Sequence, residues 1–217
     1  LGDIAKLRVP KAKGLTFDWL MDVSDRFGIK SNFYFIPSNT DRKYDFRYDI
    51  NNADIKDIFR RIIGRGHNVG VHYSYSSSKM EKIAYEYSII QGFDVMQDRL
   101  CMGGRFHYLR IAIPESLDQI ANQTNQSYEN TLTFHETGGF RCATSRPFKY
   151  FNLESGQSYD LKILPLVVMD STVFGYLNYD YDSALELFKH YIDQCKNIGG
   201  TFSLLWHNDA LSTMEER

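Results

Sequence analysis

Apolar segments of strand period alternate along this chain with segments of helical period, and that alternation confines it to βα units around a mostly parallel sheet or barrel. Residues 17–27 place Phe17, Leu20, Met21, Val23 and Phe27 on one helical face, and Gly28 stops the helix. Residues 31–37 (SNFYFIP) alternate as a strand. A second amphipathic helix follows over 54–63, with Ile55, Ile58, Phe59, Ile62 and Ile63 in one stripe. Residues 67–72 (HNVGVH) form the next strand. Helices are predicted over 78–100, where Ile83, Tyr87 and Ile90 face inward, over 114–121, and over 181–198 up to Gly199–Gly200. Residues 162–169 are apolar almost throughout and predict a strand buried on both faces. A last strand over 201–207 ends on Leu204–Leu205–Trp206–His207. Residues 123–160 break the rhythm and are loop-rich, and no linker divides the chain.

Basic and acidic residues nearly balance, 25 against 27, so a nucleic-acid-binding surface is not expected. The longest apolar run, 163–169, is far too short to cross a membrane. No leader segment is visible, and the compartment stays open, with the cytoplasm slightly favoured over the cell envelope. Cys101, Cys142 and Cys195 are odd in number and far apart, which implies neither a zinc ribbon nor a disulfide framework. Fifteen Tyr and fifteen Phe suit sugar-stacking surfaces, although cores use most such rings.

The histidines sort by position. His67 and His72 are five apart on one strand, so they point to opposite faces. His72 sits at the C-terminal end, where α/β folds collect functional groups, and His67 at the structural rim. His207 leaves the last strand at the equivalent end, either as a site residue or as a surface residue that merely ends a core strand. His190 lies mid-helix on a solvated face, and His135 sits in a loop beside Glu136.

Several segments together resemble one family. Residues 66–72 (Gly-His-Asn-Val-Gly-Val-His) resemble the Gly-His-Glu-Ile/Val-Gly-x-His segment of the NodB-homology polysaccharide deacetylases, carbohydrate esterase family 4. Phe33–Tyr34–Phe35–Ile36 is similar to their Thr-Phe-Phe strand. Arg105–Phe106–His107–Tyr108 is similar to their arginine-containing third motif, and Leu205–Trp206–His207 to their closing Leu-x-His. Gly70–Tyr75, His107–Arg110, Gly139–Arg141 with Pro147–Phe148, and Pro165–Asp170 resemble a branch found with bacterial surface-polysaccharide genes. The resemblance spans residues 17–207. It implies an irregular seven-stranded (β/α) barrel. It also implies a single deacetylase-like catalytic domain over 1–217, without the strand that bears the family's first motif.

The activity implied is removal of N-acetyl groups from saccharides by metal-assisted amide hydrolysis. One divalent ion, zinc first among them, polarises the acetyl carbonyl and acidifies its bound water, while a base and an acid move protons. On this resemblance His72 is a metal ligand and His207 the acid. Arg105 orients a carboxylate, Asp170 stands at the functional rim, and Tyr73, Tyr108 and Trp206 shape the sugar subsite. The family's second metal histidine corresponds to Ser76, a poor ligand. His107 is then either its replacement or a hydrogen-bonded wall residue. Thr16–Phe17–Asp18 matches the family's first motif by letters but opens a helix, so Thr16 or Asp18 reads as an N-cap. Two rivals stand beside this reading: a non-catalytic carbohydrate-binding or scaffold protein of the same fold, and a metal-independent hydrolase using Glu129 and Asp170 as a carboxylate pair.

Overall fold

In the computed structural model, six of the eight strands among the described residues form one mostly parallel sheet. The structure describes residues 16–45, 48–79, 81–96, 102–208 and 210. In chain order the elements are α1 (Thr16–Arg26), β1 (Asn32–Phe35), α2 (Ala53–Gly64), β2 (Asn68–Tyr73), α3 (Ile83–Gln91), β3 (Gly103–Phe106), α4 (Glu115–Gln123), β4 (Tyr128–Glu129), β5 (Phe148–Asn152), β6 (Gln157–Ile163), β7 (Val168–Met169), α5 (Tyr181–Asn197) and β8 (Leu204–Leu205). The sheet runs β1-β2-β3-β4-β6-β5, parallel except for the antiparallel β5–β6 pair; β7 and β8 form a separate parallel pair. A closed seven-stranded barrel is not seen among the described residues.

The apolar stripe of α2 is buried through Ile58, Phe59 and Ile62. The Phe59 ring lies 4.5 Å from Phe35 and 4.8 Å from Phe93. Asn52 caps this helix by accepting from the Asp54 amide at 2.8 Å. Asp18 lies inside the first turn of α1 and not at a cap, and its carboxylate pairs with Arg61 of α2. His67 takes the structural place expected of it. It is buried, its Nδ1 accepts from the Ser31 amide at 3.3 Å, and its Nε2 lies 3.2 Å from Asp25.

Two expectations need correction. Among the described residues, the helix expected over 78–100 occupies 83–91, followed by a 3-10 turn at Asp94–Met96; residues 80 and 97–100 lie outside the described residues. The serine run bonds other segments instead of extending the helix: the Ser74 amide and hydroxyl donate to Glu86, the Ser76 amide to Thr40 Oγ1 at 2.9 Å, and the Ser78 and Ser116 hydroxyls pair at 2.7 Å. The strand expected over 162–169 is two strands in two sheets. Pro165, which has no amide hydrogen, sits at the crossing. There the backbone bonds pass from Leu164 N–Glu129 O to Leu166 N–Leu132 O and then to Val167 N–Ser203 O, at 2.8, 3.2 and 3.0 Å. The segment 123–160 is loop-rich as expected, and within it run β4, β5 and the start of β6.

Asn130 ties the two sheets together. Its side chain accepts from Arg105 and donates to Leu164 O at 2.7 Å and to Ser203 Oγ at 3.3 Å.

Candidate functional site

The parallel register brings the C-terminal ends of the strands to one rim. His72 stands opposite Arg105 across β2–β3, and Phe106 closes β3 just before His107. Asp170 follows β7 directly, and His207 lies two residues past β8. Three of the six histidines gather here. The His72 and His107 rings meet edge to face with centroids 5.1 Å apart. His207 acts electrostatically on both.

Each imidazole is held at Nδ1. His72 Nδ1 lies 3.1 Å from the carbonyl oxygen of Arg105. A carbonyl only accepts, so this nitrogen carries the proton and Nε2 the lone pair. His107 Nδ1 lies 3.1 Å from Asp45 Oδ1, and His207 Nδ1 lies 2.6 Å from Asp170 Oδ1. The three rings therefore share one tautomer when neutral, with the proton on Nδ1 and the lone pair on Nε2. Burial, helped by His107 and Arg105, pushes the His72 pKa down to about 3, and burial also lowers His107 despite Asp45. Both are neutral near pH 7.

Asp45 and Asp170 are the buried carboxylates behind these rings. Asp45 Oδ2 accepts from the amides of Thr40 and Asp41, both at 2.9 Å, and Oδ1 accepts from the Tyr75 amide at 2.8 Å besides His107. Burial raises its pKa, but these donors outweigh that and hold it below the usual carboxylate range. Asp170 accepts the His207 amide at 2.7 Å and the Ser171 amide at 2.6 Å. It thus fixes the ring and also caps the π-helical segment Ser171–Tyr176.

Asp45 was not foreseen. It lies in the β1–α2 connection, beyond a strand's C-terminal end, and that position is the only signal in the sequence that marks it.

The other expected site residues separate. Tyr108 is 62% exposed and its ring lies 4.7 Å from His107. Its φ of +53° and that of Leu109 at +55° are left-handed, a strained conformation for two side-chain-bearing residues in a row. Tyr44 and Tyr75 join it: they stack at 4.1 Å, and each meets Tyr108 edge-on at 5.5 Å. Arg110 lies 4.1 Å over the Tyr75 ring.

Tyr73 must be corrected. It is fully buried against Phe106 and its hydroxyl donates to Gln126 at 2.7 Å, because the strand period turns it away from His72. Trp206 is half-buried and faces Phe174 at 6.0 Å; no ring contact links it to the tyrosines among the described residues. Arg105 does not hold a carboxylate. Its Nε donates to Asn130 O at 3.0 Å and its guanidinium to Asn130 Oδ1, with Tyr34 stacked at 4.7 Å; Glu129 and Asp170 act on it only through space.

Glu129 has no exposed surface and is bound to the Thr131 amide and hydroxyl. A carboxylate pair with Asp170 would have one member sealed from any substrate. His135 pairs loosely with Glu136 at 3.4 Å in the open, and His190 is on the exposed side of α5.

His72 and His107 are imidazole donors of the type zinc takes. Among the described residues no third His, Cys, Asp or Glu joins them in a group that could hold a metal. A catalytic zinc site uses three protein ligands, so the fit is incomplete. No described helix is long and apolar enough to cross a membrane. Comparison with known proteins finds no matching family model, no matching curated protein and no matching solved structure.

Proposed function

We propose that the chain is a polysaccharide deacetylase-like hydrolase that removes N-acetyl groups from saccharides. The observation that carries this reading is the Asp170–His207 pair at the exits of β7 and β8, set beside two neutral imidazoles. Hydrolysis of an N-acetyl group adds water across the amide C–N bond and yields acetate and an amine. The amine leaves only if its nitrogen gains a proton. His207, with Nδ1–H on Asp170, would deliver that proton from Nε2. The side chain is 45% exposed, so a bulky saccharide can reach it. His207 would first gain that proton on Nε2 from the attacking water, which leaves the Nε2 lone pairs of His72 and His107 uncommitted to proton transfer.

The divalent metal of the resembled family belongs to this proposal, with His72 and His107 as two of its ligands. It would supply an activated water. Because the described donors are one short, no step above runs through it. The barrel belongs here too. Its support is the run of backbone bonds that carries the wall from β4 past Pro165 to β8.

The test is acetate release from N-acetylglucosamine oligomers by the full chain, with and without added zinc. His207→Ala should lower release by about 10²–10⁴-fold, the contribution of one acid–base group, while folding is kept. Undiminished release by the variant, or none by the parent from a panel of N-acetylated saccharides, would overturn the reading.

A second reading, a non-catalytic carbohydrate-binding protein, is favoured by the tyrosine group Tyr44, Tyr75 and Tyr108. It expects calorimetric binding of such oligomers, weakened by Tyr108→Ala, with no turnover.

A further inference from the structure

A cavity of about 740 Å³ opens at the C-terminal exit of β1, between the β1–α2 connection, the start of α2 and the end of α3. That is the volume of a small-molecule site. None of His72, His107 and His207 lines it. The connection that sends Asp45 to the histidines sends Tyr48, Asp49 and Asn51 here.

The floor is apolar, formed by Ile36, Ile50 and Phe93, all buried. Tyr85 stands at the wall, 58% exposed, with its ring available for stacking. Tyr48 accepts the Ile36 amide at 2.8 Å, and its own hydroxyl proton has no acceptor among the described residues.

The charges are unequal in their engagements. Arg60 is paired with Asp94 at 3.6 Å, and Asp49 accepts the Asn51 amide at 2.9 Å. Lys56, half-buried in the first turns of α2, has no carboxylate and no hydrogen-bond partner for its ammonium among the described residues. A solvated ammonium with no carboxylate against it is the group in this cavity placed to receive an anion.

We propose that this cavity binds a monoanionic pyranose, a hexuronic acid unit, with its carboxylate on Lys56, a hydroxyl on Tyr48 and its apolar face on Tyr85. One uncommitted cation fits one negative charge. A phosphate dianion would call for a second, and Arg60 is already engaged. The saccharide part rests on the proposed function; the anionic part rests on Lys56. If both hold, the chain grips an acidic saccharide at one site and works on it at another.

The experiment is calorimetric titration of the full chain with methyl β-D-glucuronide, methyl β-D-glucoside and inorganic phosphate. The glucuronide should bind about tenfold or more tightly than the glucoside, the loss expected for one charge-assisted hydrogen bond. Lys56→Gln should erase that preference and Lys56→Arg should keep it. Tyr85→Ala should weaken both sugars, and His207→Ala neither. Equal binding of the two sugars, glucuronide binding unchanged in Lys56→Gln, or phosphate binding more tightly than glucuronide would each overturn the inference. None of these ligands carries an acetyl group. Failed deacetylation with intact glucuronide binding would therefore remove the enzyme reading alone, and active deacetylation without glucuronide binding would remove only the cavity site.

Discussion

Asp45 shows how much one buried carboxylate can organise. Its two oxygens face five donors from three stretches of chain, with the amides of Thr40 and Asp41 and the Thr40 hydroxyl on one oxygen and the Tyr75 amide and His107 on the other. Only an acceptor on both sides satisfies them. Asp45→Asn puts an NH2 group against donors on one side, whichever way the amide is turned. It should destabilise the protein by about 2 kcal/mol, since at least one buried donor loses its acceptor. Urea denaturation measures this; a midpoint within error of the parent would mean that the loop does not depend on Asp45. Tyr73 makes the complementary point. It sits next to a site histidine in sequence, yet the two-residue period of the strand sends it into the core, so adjacency in sequence places nothing on its own.

The elements hang on a narrow seam between the six-stranded sheet and the β7–β8 pair, and Asn130 is its main side-chain link. Asn130→Ala would leave Leu164 O without its 2.7 Å donor and Arg105 without one of its two acceptors. We expect a loss of about 2–4 kcal/mol, from two buried groups left unsatisfied and a small cavity. A loss below about 0.5 kcal/mol, the level of an ordinary surface change, would show that the sheets hold together by other means. The helices around this seam were legible because apolar periodicity is a local signal: α2 and α5 fall within a residue of the expected bounds. Strands β3 and β4 were not. Gly103 and Gly104 have poor strand propensity, and the reason they are glycines is three-dimensional. The Tyr128 ring and the Gln126 amide occupy the space their β-carbons would fill. The crossing at Pro165 was hidden for a similar reason, since two short buried strands in different sheets read as one apolar run. His72 and His207 were legible as strand exits and His107 only through its place in a family-like motif, whereas their anchors came partly from loops, where spacing carries little information.

At the scale of the whole molecule, two buried ionisable groups pull stability in opposite directions with pH. Burial raises Glu129 from an ordinary 4.5 to about 7, against the opposing effects of Thr131 and Arg105. Between those values the folded chain keeps a proton that the unfolded chain has released, so this group's contribution to stability is lost as pH rises from about 4.5 to 7. His72 does the reverse. Its pKa falls from 6.5 to about 3, the unfolded chain holds the extra proton, and stability is lost as pH falls through that range. The windows overlap between 4.5 and 6.5, so the parent's own profile partly conceals both. Glu129→Gln separates them. Gln resembles the protonated acid, and the Thr131 hydroxyl that now donates to Glu129 can turn to accept from its amide. The variant should match the parent near pH 5 and become the more stable of the two toward pH 7, with the difference growing by up to about 1.4 kcal/mol per pH unit. Urea midpoints at pH 5, 6 and 7 decide it: profiles that run parallel would mean that Glu129 is ionised throughout, with Arg105 and Thr131 holding its charge against burial.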